Sequence, residues 1–148
     1  MNLVAQYTPS ISGEVLCPGD KSISQRAVII GSLLNQDIEI SGFLNGEDPI
    51  STANALNAIG SSIKINGTSV SIKERDIPFK DPSINVDLGN SGTGMRLMMG
   101  LISSLGIKAT LVGDESLTKR PMLRVANPLN DMGAKVICNE GRPPVKIL

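Results

Sequence analysis

Two kinds of hydrophobic spacing alternate along the chain. Apolar residues that recur every three or four positions predict helices at residues 22–34, 48–59, 92–105 and 121–132. Short runs in which apolar residues alternate with polar ones, or stand together, predict strands at residues 12–16, 37–43, 62–65, 69–73, 85–88, 107–112, 135–138 and from 145 onward. Helices and strands that alternate in this way are typical of the α/β class.

Glycine and proline mark the ends of these elements. Gly60 and Gly133 follow the second and fourth predicted helices, where a left-handed residue commonly ends a helix. Pro121 stands at the predicted start of the fourth helix, a position that tolerates the missing N–H. Asn66 and Gly67 form the strongest short turn signal in the chain, and they predict a hairpin between the strands on either side.

The predicted elements occur twice in the same order. One β-α-β-α-β-β unit covers about residues 12–73, and a second covers about residues 84–148. Matching residues support the repeat. Gly19 matches Gly89 and Arg26 matches Arg96, in both cases 70 positions apart. Leu56 matches Leu129 and Gly60 matches Gly133, in both cases 73 positions apart. The change in spacing places an insertion in the loop DESLTKRP. We therefore predict stacked copies of one supersecondary unit.

The sequence ends inside an apolar strand. The sequence stops at Lys146, Ile147 and Leu148 with no cap and no polar tail. Small repeats usually need about three copies to close a core. We therefore expect a fragment of a longer protein. The alternative is a complete small domain that leaves an edge strand at its terminus.

Composition excludes several functions. The 148 residues carry 14 basic and 14 acidic side chains, so a net charge of zero gives no electrostatic reason to bind nucleic acid or an acidic membrane. With 2 Phe, 1 Tyr and no Trp, the chain has too few aromatic rings to stack on bases. The absence of histidine excludes Ser-His-Asp and Cys-His catalysis and removes the commonest metal ligand.

Cysteine usage and the N-terminal sequence indicate a cytoplasmic protein. Cys17 and Cys138 form no CxxC pair, so they do not support a zinc or redox motif. We expect two buried small side chains, and a long-range disulfide is the alternative. Residues 1–14 lack the basic start and apolar run of a signal peptide, and no stretch approaches the length of a membrane span.

The first candidate for chemistry is PGDKSISQR, residues 18–26. A Pro-Gly turn leads directly into a helix N-terminus, where unpaired backbone N–H groups favour an anion. Lys21 and Ser22 lie in the first turn, and Arg26 follows Ser22 on the same helix face. Together they offer a cation, a hydroxyl and a guanidinium to one polar ligand. The alternative is a solvated turn with a capping Ser or Asp. The motif is not a Walker A loop, because Asp20 separates Gly19 from Lys21.

The second candidate, LGNSGTGMR, occupies the equivalent strand-to-helix junction of the second unit. Its glycines, Gly89, Gly92 and Gly94, allow a backbone to approach a ligand closely. Short polar side chains stand between them at Asn90, Ser91 and Thr93. The alternative is a flexible loop with an N-cap, but two such loops at matching places of a repeat would lie on the same side of the molecule.

The third candidate is the inserted loop, GDESLTKRPM. Lys119 and Arg120 stand directly before the Pro121 predicted to start a helix, which is again a junction that favours an anion. The alternative is a charged surface loop in which Asp114 and Glu115 pair with Lys119.

These three motifs, in this order and near this spacing, resemble the 3-phosphoshikimate 1-carboxyvinyltransferases, or EPSP synthases. The resemblance covers residues 17–145 and includes GRPP at 141–144. The related UDP-N-acetylglucosamine enolpyruvyl transferases have a different first motif and a reactive loop cysteine, and neither cysteine of this chain lies in the inserted loop. The family fold has two domains, each of three β-α-β-α-β-β units. The resemblance therefore implies that residues 1–148 are two units of a partial N-terminal domain.

The resemblance implies an activity in the shikimate pathway of aromatic amino-acid biosynthesis. The 5-hydroxyl of shikimate 3-phosphate attacks phosphoenolpyruvate, and phosphate leaves through a tetrahedral intermediate. No metal or organic cofactor is expected, and neither nucleic acid nor a membrane is expected as a partner. The expected partners are the two substrates and the remaining part of the same enzyme. The family's later acid/base groups lie outside this chain, so we expect the chain alone to be inactive.

The motif match also implies roles for individual residues. Shikimate 3-phosphate would contact Lys21, Ser22 and Arg26, and phosphoenolpyruvate would contact Lys21, Gly92 and Arg120. Lys21, shared by both substrates, is the candidate catalytic residue, and Asn90 and Thr93 are further candidates. Gln25 stands where the family often has His or Asn. The alternative function is a stand-alone anion-binding or assembly module without catalysis.

Overall fold

The computed structural model describes residues 3–148, and this range contains five helices and seven strands. The helices are α1 (Lys21–Leu33), α2 (Glu47–Ala58), α3 (Gly92–Leu105), α4 (Glu115–Thr118) and α5 (Leu123–Asp131). The strands are β1 (Ile38–Ile40), β2 (Ser62–Asn66), β3 (Ser69–Lys73), β4 (Val86–Asp87), β5 (Ala109–Val112), β6 (Val136–Asn139) and β7 (Arg142–Ile147). None of the helices in the described range has the length and apolar character needed to cross a lipid bilayer.

The strands form two sheets with related topology. The first has the order β1-β3-β2, and the second has the order β4-β5-β7-β6. Strands β5, β7 and β6 take the places in the second sheet that β1, β3 and β2 take in the first, with antiparallel pairing throughout. The additional strand β4 pairs in parallel with β5. The predicted repeat is therefore confirmed in its strand order, and the hairpin around Asn66 and Gly67 is confirmed as β2 and β3.

The predicted strand at residues 12–16 is wrong. These residues adopt no strand conformation, and Val15 and Leu16 are 87% and 100% exposed. An isolated run of alternating residues forms a strand only when a neighbouring strand accepts its hydrogen bonds, and no such neighbour occurs among residues 3–148. The expected burial of Cys17 is wrong for the same reason. Both cysteines are free, and partial burial raises the pKa of the Cys138 thiol.

Several predicted boundaries also change, and one helix was not predicted. The strand expected at 37–43 ends at Ile40, because Gly42 has a φ of +73° and Phe43 turns away to bind the carbonyl oxygen of Thr68 at 2.9 Å. The inserted loop contains the short helix α4, whose N-cap is Asp114. The next helix starts at Leu123 rather than at Pro121. The N–H of Met122 donates to the carbonyl oxygen of Gly141 at 2.8 Å, which holds Met122 outside the helix.

The apolar face of α3 lies in the centre of the core. Met95, Met98, Met99 and Ile102 are fully buried, as their spacing predicts. Helix α3 contacts α2 of the first unit and α5 of the second, so the two units share one core. Burying a side chain of this size stabilises a fold by about 1.5–3 kcal/mol, so this helix fixes the position of the loop that precedes it.

Candidate anion-binding site

The N-termini of α1 and α3 each carry a side-chain cap. Asp20 Oδ1 accepts from the N–H of Ile23 at 2.8 Å, and Ser91 Oγ accepts from the N–H of Gly94 at 3.1 Å. These caps satisfy only part of the first turn, and the remaining N–H groups give each terminus a partial positive charge. Both sequence motifs therefore begin a helix, as predicted, and in the first motif the capping residue is Asp20.

Gln25 connects these helix termini. Its side chain is fully buried, and its Nε2 donates to Ser91 Oγ at 2.8 Å and to Thr52 Oγ1 at 2.9 Å. Thr52 belongs to α2 and Ser91 precedes α3, so one amide joins α1 to two other helices. The sequence identified Gln25 only as a variable position of the family motif. A contact between residues 66 positions apart leaves no local signal in the sequence.

Lys21, Ser22 and Arg26 lie together on the exposed side of the first turns of α1. Lys21 Nζ lies 2.9 Å from Asp48 Oδ2, and the Lys21 side chain stays 53% exposed. The Nη1 of Arg26 donates to the carbonyl oxygen of Ser22 at 3.1 Å, which confirms that the two residues share one face. Asp48, at the start of α2, is a site neighbour that the sequence analysis missed.

Gly92 is the first residue of α3 and is buried beneath two guanidinium groups. A Cβ placed on Gly92 would lie 2.7 Å from Arg120 Nη1 and 3.1 Å from Arg96 Nη1. Its backbone is helical, so the glycine is not required by a left-handed conformation. The close approach of Arg120 is the feature that only glycine permits at this position. The structure therefore places Gly92 and Arg120 in contact, 28 positions apart in the sequence.

Asn90 and Ser116 accept hydrogen bonds from the guanidinium of Arg120. Arg120 Nη2 donates to Asn90 Oδ1 and, at 3.4 Å, to Ser116 Oγ. Asn90 Nδ2 in turn donates to Asp114 Oδ2 at 2.8 Å. Asp114 Oδ1 caps α4 by accepting from the N–H of Leu117 at 2.7 Å. This hydrogen bond and the one from the amide of Asn90 lower the pKa of the Asp114 carboxyl. The inserted loop is thus an ordered support for Arg120.

Lys119 points to a different partner. Its Nζ lies 2.6 Å from Glu115 Oε1, and both side chains are exposed. The alternative pairing of Lys119 with Glu115 is therefore confirmed, whereas Asp114 bonds to Asn90 instead. Of the two neighbouring cations in the loop, only Arg120 faces Gly92.

Arg96 is a second basic residue at Gly92 that was missed as a candidate. Its Nη1 donates to the carbonyl oxygen of Gly92 at 2.9 Å and its Nη2 to that of Pro121 at 2.9 Å. Burial lowers the pKa of the Arg96 guanidinium, and repulsion from Arg124 and Arg120 lowers it further. Together the three guanidinium groups give this region a positive electrostatic potential, and a bound anion would reduce the repulsion that Arg96 experiences.

The repeat relates the two cationic groups. Arg26 donates to the carbonyl oxygen of Ser22, and Arg96, at the equivalent position of the second unit, donates to that of Gly92. The match of Arg26 with Arg96 was visible in the sequence, so the repeat itself could have indicated Arg96. Each unit therefore presents one arginine, bonded to its own first helical turn, near a capped helix N-terminus.

An open cavity of about 520 Å³ lies between the start of α2 and the loop before α3. It is lined by Glu47, Asp48, Ile50, Ser51, Gly89, Asn90 and Asp114. Of the predicted site residues, only Asn90 belongs to this lining, and Thr93 lies exposed on the first turn of α3. Asp48 holds the Lys21 ammonium at the border of this cavity. Nowhere in residues 3–148 do three Cys, Asp or Glu side chains converge as a metal ion would require.

The structure therefore brings the predicted residues together as two groups. Lys21, Ser22 and Arg26 form one group on α1. Gly92, Arg120 and Asn90 form the other, together with Arg96. Gln25 bridges the two groups through Ser91.

Comparisons with known proteins identify the family of the chain. The family model for EPSP synthase (3-phosphoshikimate 1-carboxyvinyltransferase) matches residues 6–148. A 3-phosphoshikimate 1-carboxyvinyltransferase from Ruthia magnifica is 48% identical over 145 residues, which cover 97% of this chain and 33% of the relative. One from Legionella pneumophila strain Corby is 42% identical, over 99% of this chain and 34% of the relative.

The solved structures lead to the same family. An EPSP synthase from Acinetobacter baumannii superposes with a TM-score of 0.84 at 39% identity, covering 91% of this chain and 31% of that chain. The chain spans about a third of the length of the curated relatives it matches. Because the family match extends over nearly all of the chain and the fold agrees with it, the chain belongs to the EPSP synthase family.

Proposed function

We propose that this chain supplies one wall of the substrate site of an enzyme that transfers the enolpyruvyl group of phosphoenolpyruvate to the 5-hydroxyl of shikimate 3-phosphate. The observation that carries the proposal is the pairing of two cationic groups at neighbouring helix N-termini. Both substrates are anions, and a helix N-terminus with an adjacent guanidinium or ammonium group favours phosphate and carboxylate. Two groups of this kind suit a reaction between two anionic substrates.

Shikimate 3-phosphate would bind at α1. The exposed Ser22 hydroxyl and the Arg26 guanidinium flank the helix start, and the Lys21 ammonium extends over it. Lys21 is held by Asp48 at 2.9 Å, so a phosphate group would compete with a carboxylate for the same ammonium. A flexible lysine with three donors can turn from one oxygen ligand to another without a change in the backbone.

Phosphoenolpyruvate would bind beside Gly92. Arg120 offers a planar fork whose direction is set by Asn90, and the missing Cβ of Gly92 leaves the fork close to the α3 terminus. The positive potential that Arg96 and Arg124 add would stabilise the carboxylate and phosphate charges. Lys21, between the two substrates, would contact both.

The chemistry that such a site would support is addition followed by elimination. The 5-hydroxyl oxygen gives up its proton to a base and forms a bond to C2 of phosphoenolpyruvate, while the electrons of the C2=C3 double bond take up a proton at the methylene carbon, which becomes a methyl group. The tetrahedral intermediate then loses a methyl proton and phosphate, which leaves an enol ether. The cationic groups of this chain would stabilise the charge on the departing phosphate, and the proton-transfer groups would come from outside residues 1–148.

The test uses a joined protein, in which residues 1–148 replace the matching third of the Ruthia magnifica relative. We expect it to convert the two substrates to the enolpyruvyl product with release of phosphate, whereas residues 1–148 alone should not turn over. Lys21→Met should reduce kcat by about a hundredfold or more, since positioned charge in an active site contributes on this scale. Lys119→Met, the same change at an exposed lysine paired with Glu115, is the matched control.

The result also distinguishes the rival function. A joined protein that binds both anions with normal affinity but never forms product would favour an anion-binding module. Turnover that is unchanged by Lys21→Met would contradict the role given to α1.

A further inference from the structure

We propose that Gln25 is a positioning residue that sets the distance between the two halves of the substrate site. The inference rests on the proposed function, because it assigns the two anions to α1 and to the N-terminus of α3. Gln25 itself is fully buried and touches neither proposed substrate position. Its effect would pass through Ser91 to Gly92 and through Thr52 to α2.

Hydrogen bonding fixes which way the amide faces. The Thr52 hydroxyl donates to the carbonyl oxygen of Asp48 at 3.0 Å, so toward Gln25 it can only accept. The nitrogen of the amide must therefore face Thr52, and its second hydrogen then points to Ser91 Oγ at 2.8 Å. Both donors of the amide are used, one on each neighbouring helix.

The partners of Gln25 stand next to the proposed site residues. Gln25 lies one turn after Lys21 and directly before Arg26. Ser91 directly precedes Gly92, and Thr52 lies one turn after Asp48, the ion-pair partner of Lys21. Any change at this amide therefore shifts Gly92 relative to Lys21 without altering either residue.

Helix α3 comes unusually close at this point. A Cβ on Gly94 would lie 2.6 Å from Ser91 Oγ, 2.7 Å from Thr52 Oγ1 and 3.1 Å from Gln25 Nε2. The glycine therefore leaves just enough room for the three polar side chains. A close packing of this kind has little tolerance, so losing one hydrogen bond should move the α3 terminus rather than leave a void.

Stability alone does not explain the glutamine. Its Oε1 is buried and has no hydrogen-bond partner among residues 3–148. An unpaired buried acceptor destabilises a fold, and an apolar side chain of the same length would avoid that penalty. Moreover, Ser91 and Thr52 each keep another hydrogen bond when the amide is removed. The amide is therefore better explained by the alignment of the helices than by fold stability.

The test is Gln25→Met in the joined protein. We expect kcat/KM for phosphoenolpyruvate to fall by about tenfold to a hundredfold, the loss typical of a displacement near 1 Å in a site. The Kd of shikimate 3-phosphate alone, measured by calorimetry, should change by less than about twofold, because its proposed ligands all belong to α1. Loss of a direct contact would change this Kd by about tenfold. The Tm should stay within about 4 °C of that of the unsubstituted protein.

Asn57→Ala is the control for a merely structural effect. It removes two hydrogen bonds near the C-terminus of α2, away from the site. It should lower the Tm while leaving kcat/KM for phosphoenolpyruvate and the affinity for shikimate 3-phosphate unchanged. Because the two variants need not lower the Tm equally, the loss of kcat/KM is compared per degree of Tm lost. If that ratio is the same for Asn57→Ala and Gln25→Met, Gln25 is a structural residue and the proposal fails. It also fails if Gln25→Met leaves kcat/KM unchanged.

A second variant covers the case in which Gln25→Met does not fold. Thr52→Val keeps the shape of the side chain but removes the hydroxyl that accepts from Gln25 Nε2, so it breaks one of the two bridging hydrogen bonds and leaves Gln25 in place. The proposal requires the same selective loss for phosphoenolpyruvate, and equal losses for both substrates would overturn it. Failure of the proposed function would show separately, as absence of turnover in the unsubstituted joined protein.

Discussion

Asn57 and Asn130 make the same pair of hydrogen bonds at equivalent places of the two units. Asn57 Nδ2 donates to the carbonyl oxygen of Ile63 at 3.0 Å, and Asn57 Oδ1 accepts from its N–H at 2.8 Å. Asn130 binds Val136 in the same way, at 2.9 and 2.7 Å. In each unit, a side-chain amide thus satisfies both backbone groups of a residue in the strand that follows the second long helix. The repeat therefore extends beyond the order of elements to individual polar contacts.

Asn57→Ala and Asn130→Ala should each lower the free energy of unfolding by about 1–3 kcal/mol, because each leaves backbone groups of a strand residue unpaired. The measurement is urea unfolding of the chain followed by circular dichroism. Asn54 is an exposed asparagine of α2, the helix that also contains Asn57. Asn54→Ala is the control and should change the free energy of unfolding little or raise it slightly. A loss at Asn54 as large as at Asn57 would contradict a specific contribution from the paired hydrogen bonds.

Arg120→Ala in the joined protein should weaken binding of phosphoenolpyruvate by about 1.5–3 kcal/mol, the usual contribution of a charged hydrogen bond. Binding of shikimate 3-phosphate should change less, because its proposed ligands lie on α1. Titration calorimetry with each ligand separates the two effects. Lys119→Ala, the neighbouring cation that pairs with Glu115, should affect neither. Equal losses for both ligands after Arg120→Ala would mean that the inserted loop acts on the whole site instead.

Gly92→Ala should raise the KM for phosphoenolpyruvate without unfolding the protein. The new methyl group would displace the Arg120 guanidinium, whose Nη1 would lie only 2.7 Å away. That guanidinium is the far end of a flexible side chain, so the displacement should lower the Tm little. Alanine also favours a helix over glycine by about 1 kcal/mol.

Gly100 lies on the same helix, and a Cβ there would meet nothing within 4 Å. Gly100→Ala is therefore the matched control. It should raise the Tm and leave the KM unchanged. If Gly92→Ala lowers the Tm sharply while the KM for phosphoenolpyruvate stays constant, the glycine is required for packing and not for the ligand site.

The carboxyl of Asp114 should titrate below its ordinary pKa of 3.8, because the N–H of Leu117 and the amide of Asn90 stabilise the ionised form. A folded-state pKa below the unfolded one adds stability above the unfolded pKa, and this contribution disappears as the pH falls through the folded pKa. NMR titration of the carboxyl carbon measures the value directly. Asn90→Ala should raise the pKa part of the way back, and an unchanged pKa in that variant would contradict the contact with Asn90.

Local patterns predicted most of the helices and the central hairpin. Helix α3 agrees with its predicted bounds because apolar spacing and core packing coincide there, and the turn at Asn66 and Gly67 is set by adjacent residues. The strand at 12–16 was wrong because a strand depends on a partner that local sequence does not reveal. Helix α4 was missed because four residues are too few to show a helical period.

The sequence indicated residues of the candidate site but not their connections. Charge and helix termini marked Lys21, Arg26 and Arg120 as candidates, and the family resemblance assigned them to substrates. The contacts that orient them join distant parts of the chain, as between Gln25 and Ser91 or Arg120 and Asn90, so no pattern in one segment could indicate them. The repeat was the one sequence feature that pointed across units, through the match of Arg26 with Arg96.

The strand order has a consequence for how the chain folds during its synthesis. In both sheets the strand that lies between its two antiparallel neighbours, β3 or β7, is the last of its unit to leave the ribosome. Neither sheet can therefore close until its unit is fully made, but the first can close while the second is still being translated. The long-range pairings that slow β-sheet folding are thus confined to one unit at a time. Translation itself would order the assembly, with the first sheet complete before the residues around Gly92 emerge.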